Sequence, residues 1–178
     1  MTSKEKREEI LEKIKNASSE KYVTEWDDSG RIGTQKKKSN IKKGRTSRAA
    51  GARFELIVRK DLNEKEWTVD KWSNNVDLDS EKVIIAKRKF NPFKKILTIG
   101  TGFPDFIAFK RTKENLYRLV GVEVKMNGLL SKQEKEKCKI LLDKGIFNEI
   151  WVAKKEKVGR SIGIEYVDFR ERYSKLFQ

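Results

Sequence analysis

Hydrophobic and polar positions alternate most regularly over residues 102–125. In the second half of that stretch Val120, Val122 and Val124 alternate with Gly121, Glu123 and Lys125. Strand side chains point to opposite faces in turn, so the valines are predicted to face a core while Glu123 and Lys125 emerge together on the other side. The first half, Gly-Phe-Pro-Asp-Phe-Ile-Ala-Phe, predicts a preceding strand opened by Asp105. Pro104 suits a strand's beginning, where no ladder donor is needed.

Elsewhere the period is helical or mixed. Ile10, Leu11, Ile14 and Ala17 recur at helical spacing among charges, predicting a short amphipathic helix over residues 4–17 that docks on the domain or on a partner. Residues 49–62 predict a second helix with Phe54, Ile57, Val58 and Leu62 on one stripe and Glu55 at its wet edge. Residues 67–72 read as a strand ended by Ser73-Asn74-Asn75, and 83–86 as another. Asn91-Pro92 marks a turn before extended structure resumes over 94–99. Met126-Asn127-Gly128 is a turn, and Ser131 with Glu134 forms a capping box that opens a helix with Cys138, Leu141 and Leu142 buried and Gly145 as its stop. Residues 146–153 are a strongly apolar strand, so the intervening helix predicts a crossover and parallel pairing with the Glu123 strand. Residues 162–167 add a short strand, and Asp168 caps a last helix carrying Phe169, Tyr173 and Leu176.

Length and composition bound what these elements build. A chain of 178 residues with 37% hydrophobic content supports one domain with a proper core plus an appendage. The formal charge is +15, which draws polyanions at long range and makes nucleic acid the leading partner; a lysine-rich surface serving solubility is the alternative. Residues 31–48 hold Arg31, Lys36, Lys37, Lys38, Lys42, Lys43, Arg45 and Arg48 and no acid. Without them 34 basic residues face 27 acidic ones, a net +7, so about half of the excess charge lies in a stretch that reads as a mobile basic arm, either a phosphate contact or a solvated linker. Lys87, Arg88 and Lys89 beside Phe90 and Phe93 form a second basic stretch, read either as a nucleic-acid contact or as a basic edge over core phenylalanines.

What is missing narrows the chemistry. There is no histidine, and Cys138 is the single cysteine, which removes an intramolecular disulfide, Ser-His and Cys-His nucleophile pairs, and zinc or iron-sulfur sites built on these residues. Carboxylate, lysine and hard-cation chemistry remains. No apolar run approaches bilayer length and the N-terminus lacks a signal-peptide core, so a soluble, intracellular, cytoplasmic protein without a membrane partner is expected.

In chain order the chemistry-bearing residues are Glu55 on a helix, Pro104-Asp105 at a strand start, Glu123-Val124-Lys125 on the next strand and Gln133 in the following helix. That order, with 18 positions between the two acids, resembles the PD-(D/E)xK nuclease superfamily, most closely its VRR-NUC and archaeal Holliday junction resolvase branches. The resemblance spans residues 51–153. It implies a restriction-endonuclease-like α/β fold, a central mixed sheet flanked by helices, as a domain over residues 49–178 behind an N-terminal helix and basic arm over 1–48. It also implies Mg²⁺, with Mn²⁺ as a substitute, held by Asp105, Glu123 and the Val124 carbonyl. Lys125 would orient the attacking water and stabilise transition-state charge, Glu55 would hold an outer water or a second metal, and Gln133 would position the nucleophile or Lys125. The implied function is endonucleolytic hydrolysis of DNA, of branched or junction structures first, by a homodimer. RNA is a weaker substrate, and an exonuclease, a restriction-type enzyme and a non-catalytic nucleic-acid-binding protein are the alternatives.

Overall fold

The computed structural model of the chain describes residues 2–87, 89–91, 96–98, 102–159 and 161–178. The chain divides into two units, Met1–Ala50 and Gly51–Gln178.

The first unit begins with helix α1 (Ser3–Ala17), opened by a capping box in which the Thr2 hydroxyl accepts from the Glu5 N–H and the Glu5 carboxylate accepts from the Thr2 N–H. Strands β1 (Tyr22–Trp26) and β2 (Ile32–Lys37) pair antiparallel around a turn that Asp27 closes by accepting from the N–H groups of Ser29 and Arg31. The Gln35 side chain donates to the Lys13 carbonyl at 2.6 Å, joining hairpin to helix. Helix α2 (Lys38–Glu64) starts directly after β2. The stretch expected to be a mobile basic arm is therefore strand and helix: Lys36 and Lys37 end β2, and Lys38, Lys42, Lys43, Arg45 and Arg48 lie in the first half of α2. The reason is pairing partner and length. The β1 residues Tyr22 and Val23, which show no strand period of their own, supply a ladder for β2, and residues 38–48, exposed throughout, form one continuous helix with the segment predicted from 49 onward.

The second unit is built on a five-stranded sheet of order β11-β10-β9-β8-β3. Strands β3 (Thr68–Lys71), β8 (Phe106–Lys113) and β9 (Leu116–Val124) are successively antiparallel, β10 (Glu149–Val158) runs parallel to β9, and β11 (Ser161–Asp168) is antiparallel to β10. Between them β4 (Asn74–Asp77) pairs with β5 (Lys82–Ile85), and β6 (Lys89–Asn91) with β7 (Ile96–Thr98). Asn74 and Asn75, expected to end a strand, thus begin one; the expected turn at Pro92 lies outside the described residues. Helix α3 (Lys132–Asp143) makes the predicted crossover from β9 to its parallel neighbour β10. Gly145 at φ +65° ends it, with the Ile146 N–H on the Leu141 carbonyl. Asp168 caps the short helix α4 (Phe169–Arg172), and a 3₁₀ turn (Ser174–Phe177) closes the chain.

Each face of the sheet carries its own core. On one face Phe54, Val58 and Leu62 of α2 pack on Val69, Phe106, Ala108, Val120, Val122 and Ala153. On the other, Cys138, Ile140, Leu141 and Leu142 of α3 pack with Phe147, Ile150, Val152 and Phe169. Ile57 does not join the α2 stripe: Phe54, Val58 and Leu62 already complete the seam at helical spacing, and Ile57 is turned toward solvent. The unit is thus a mixed sheet flanked by helices, and β9 is covered on both faces. Among the described residues no helix is long and apolar enough to cross a membrane.

Candidate functional site

The register of β8 and β9 pairs Phe106 with Val122, which sets Asp105, just before β8, against Glu123. The two acids are locked reciprocally. Glu123 Oε2 accepts from the Asp105 N–H at 3.2 Å, and Asp105 Oδ2 accepts from the Val124 N–H at 2.9 Å. Among the described residues Asp105 Oδ1 takes no hydrogen bond. The placement of Asp105 depends on Gly102: a Cβ there would sit 2.0 Å from the Trp72 carbonyl oxygen, so only glycine lets this segment press against residues 72–74. The Phe103 N–H then bonds the Asn74 carbonyl and the Trp72 N–H the Asp105 carbonyl. Gly121 plays a similar part under the acids, since a Cβ would meet Pro104 at 2.9 Å and Phe147 at 3.1 Å.

Alternation predicted Glu123 on a face away from the core. That face is also core: Glu123 is only 3% exposed, because α3 covers it as α2 covers the valine face. Val124, by contrast, is only half-buried. Lys125 lies just beyond the strand, its N–H on the Ala153 carbonyl, and its ammonium bridges Glu123 at 2.9 Å and Glu134 at 2.6 Å. Glu134 serves two ends at once, its other oxygen accepting from the Ser131 N–H in the α3 capping box. Gln133, the helix residue expected to reach the lysine, is exposed and makes no side-chain hydrogen bond among the described residues. The capping box fixes the reason: it turns the third helical residue, Glu134, back toward the helix start, and Lys125 lies there. Glu134 was visible in the sequence as a cap, and nothing in the cap pattern announced its second partner. Glu55 is half-buried on α2 and pairs at 3.6 Å with Lys71 of β3, a long contact on a largely exposed lysine.

Electrostatics shows the acids short of positive charge. Burial pushes the Glu123 carboxyl up to about 8, with the Asp105 charge adding to it and Lys125 opposing. Burial also raises Asp105, and the Glu55 charge adds to that, against the Val124 N–H and the charges of Lys125 and Lys71. Burial works against the Lys125 ammonium, but Glu123 and Glu134 outweigh it and hold the lysine above its ordinary range. Glu134 is partly desolvated, yet Lys125 and Ser131 hold it below the usual carboxylate range. Four carboxyl groups thus face two lysines. Asp105 and Glu123 are oxygen donors of the kind a hard divalent cation takes, and the Val124 peptide lies against them through its N–H. They form a pair, since among the described residues no group of three or more acidic, cysteine or histidine side chains is arranged to hold a metal.

The basic residues singled out in the sequence fall in several places. Lys36, Lys37, Lys38, Lys42, Lys43, Arg45 and Arg48 are all exposed in the first unit, and Lys87 is exposed after β5. Lys89 begins β6, and Arg88 lies outside the described residues. Comparison with protein-family models, curated proteins and solved structures gives no match to this chain.

Proposed function

We propose that the second unit is a nuclease of the PD-(D/E)xK type, with a restriction-endonuclease-like core, that hydrolyses phosphodiester bonds in DNA with the help of a divalent cation. The observation that carries the reading is the reciprocal lock between Asp105 and Glu123, which holds two carboxylates side by side in a buried site whose lysines leave them under-neutralised. Such a pair is costly to keep without a further cation. Asp105 and Glu123 would hold Mg²⁺ or Mn²⁺, with the Val124 carbonyl and water completing the shell. When bound, the cation supplies neutralising charge at the scissile phosphate and a more acidic water.

The chain's own residues do the rest. Lys125, fixed between Glu123 and Glu134, presents a permanent positive charge to the phosphoryl oxygens and a donor that orients the attacking water. Held above its ordinary range, it acts as an electrostatic group and donor in the metal-free site rather than as a base. Glu134 takes the positioning part that the resemblance assigned to Gln133. The Glu55 charge adds, from outside the pair, to the upward shift that burial gives Asp105. The resemblance to resolvases points to branched DNA and to a homodimer.

The test is cleavage of plasmid, linear, single-stranded and four-way-junction DNA with Mg²⁺, Mn²⁺ or EDTA. Asp105→Ala and Glu123→Ala are expected to lower metal-dependent cleavage at least 10³-fold, roughly the scale of losing a central electrostatic group, while DNA binding persists. Full activity in either variant refutes the site.

A further inference from the structure

The first unit contains a groove of about 650 Å³ lined by Tyr22, Gln35, Lys36, Lys37, Asn40, Ile41, Gly44 and Arg48. Three of the lining residues are cationic and none is acidic, and the remaining polar ones are amides and a phenol. Lys38, Lys42, Lys43 and Arg45 lie in the same run of chain, and residues 29–50 hold no acid at all, so no carboxylate of that run competes for these cations. Lys37 sits over the Tyr22 ring at 5.8 Å, which joins a cation to an aromatic face at one wall.

Gly44 is the unexpected part. Inside a helix glycine costs about 0.5–1 kcal/mol relative to alanine, and the usual reasons for it are missing here. Its φ is not positive, and a Cβ at this position would meet nothing within 4 Å. Gly44 lines the groove, so its missing side chain leaves that part of the lining open. A lining that combines a residue without side chain, three cations, amide donors and an aromatic suits a chain of phosphates with flat bases attached.

We infer that this groove docks the sugar-phosphate backbone of a nucleic-acid strand, with Lys36, Lys37 and Arg48 on phosphates and Tyr22 offering a ring face. The inference rests on the nuclease reading only for the choice of nucleic acid over other polyanions. It gives the protein a substrate-docking site distinct from the acid pair, because the lining residues all belong to Met1–Ala50 and the acids to Gly51–Gln178.

The test measures equilibrium binding of the full-length protein to fluorescently labelled 20-nucleotide DNA and RNA strands and a 20-base-pair duplex, in EDTA so that binding is read without cleavage. Gly44→Glu places a carboxylate in open space and Gly44→Gln places a neutral group of the same shape. Lys36→Glu is compared with Lys4→Glu, the same charge change on α1 outside the groove. Gly44→Glu and Lys36→Glu are expected to weaken strand binding by about tenfold or more at 0.1 M salt and to lower the salt slope by about one. Gly44→Gln and Lys4→Glu should change it less than about threefold. Equal losses in Lys36→Glu and Lys4→Glu, or an unchanged Gly44→Glu with native circular dichroism, overturn the groove, as does equally tight binding of polyglutamate to the same residues. Loss of cleavage in Asp105→Ala with strand binding intact separates failure of this inference from failure of the nuclease reading.

Discussion

At the scale of single residues, Glu123 sets a pH dependence whose sign follows from its burial. Its carboxyl is raised to about 8 in the folded chain, against an ordinary value near 4.5. Between those values the unfolded chain has released the proton and the folded chain retains it, so the folded state loses relative stability as pH rises through this window. Asp105, also raised by burial, acts in the same sense as Glu123, whereas Glu134 and Glu149 are shifted downward and act below the window and Lys125 is shifted upward and acts above it. Metal-free protein in EDTA should therefore be more stable at pH 5 than at pH 8, by on the order of a few kcal/mol, and Glu123→Gln should flatten the difference. Urea unfolding across that range checks it, and a stability that rises with pH would contradict the placement of Glu123. The acids, the lysine and the residue order were legible because strand alternation and Pro-Asp are local signals. Gln133, expected to position the nucleophile or Lys125, is solvent-facing, because the choice between it and Glu134 is made by cap geometry, which depends on where Lys125 ends up in space.

At the scale of elements, the site depends on how closely the segment before β8 approaches residues 72–74. Gly102→Ala would drive a Cβ into two backbone oxygens, from Trp72 at 2.0 Å and Asn74 at 2.6 Å, so the segment must withdraw and carry Asp105 with it. We expect about 1–3 kcal/mol of lost stability, the scale of an overpacked core, together with lost cleavage. Gly121→Ala should be milder, because its Cβ would meet the rings of Pro104 at 2.9 Å and Phe147 at 3.1 Å rather than backbone oxygens at 2.0 and 2.6 Å. Thermal unfolding and cleavage assays of both variants decide it, and a Gly102→Ala protein with native melting would show that the approach is not needed. Most strands and helices of this unit were readable from period and caps, including the crossover that makes β9 and β10 parallel. The β4 strand was missed because Asn74 and Asn75 carry turn chemistry, and only the partner strand β5 makes them extended. Likewise β1 has no strong alternation, and its ladder with β2 is a pairing between segments that single-segment patterns do not contain.

At the scale of the whole molecule, the two units differ in what holds them. Every buried hydrophobic side chain among the described residues lies at Phe54 or later, and Ile10, Leu11, Ile14 and Trp26 of the first unit are each more than half exposed. A two-stranded hairpin and a helix without a buried core are marginal in water. Amides of β1 and β2 should therefore exchange with solvent orders of magnitude faster than those of β9 and β10, and nucleic acid bound in the groove should slow them selectively; hydrogen exchange with and without a DNA strand measures both. Uniform protection along the chain would contradict it. The basic stretch over residues 31–48 was visible in the charge distribution, whereas the strand and helix it forms were not. Cys138 adds a property of a different kind. Its thiol lies fully buried on the core-facing side of α3 and is pushed well above its ordinary range by burial, and the chain has no second cysteine. A thiol reagent added to the native protein therefore counts openings of the second unit one event at a time, and the molecule carries its own single-site clock for how often the sheet beneath the acid pair comes apart.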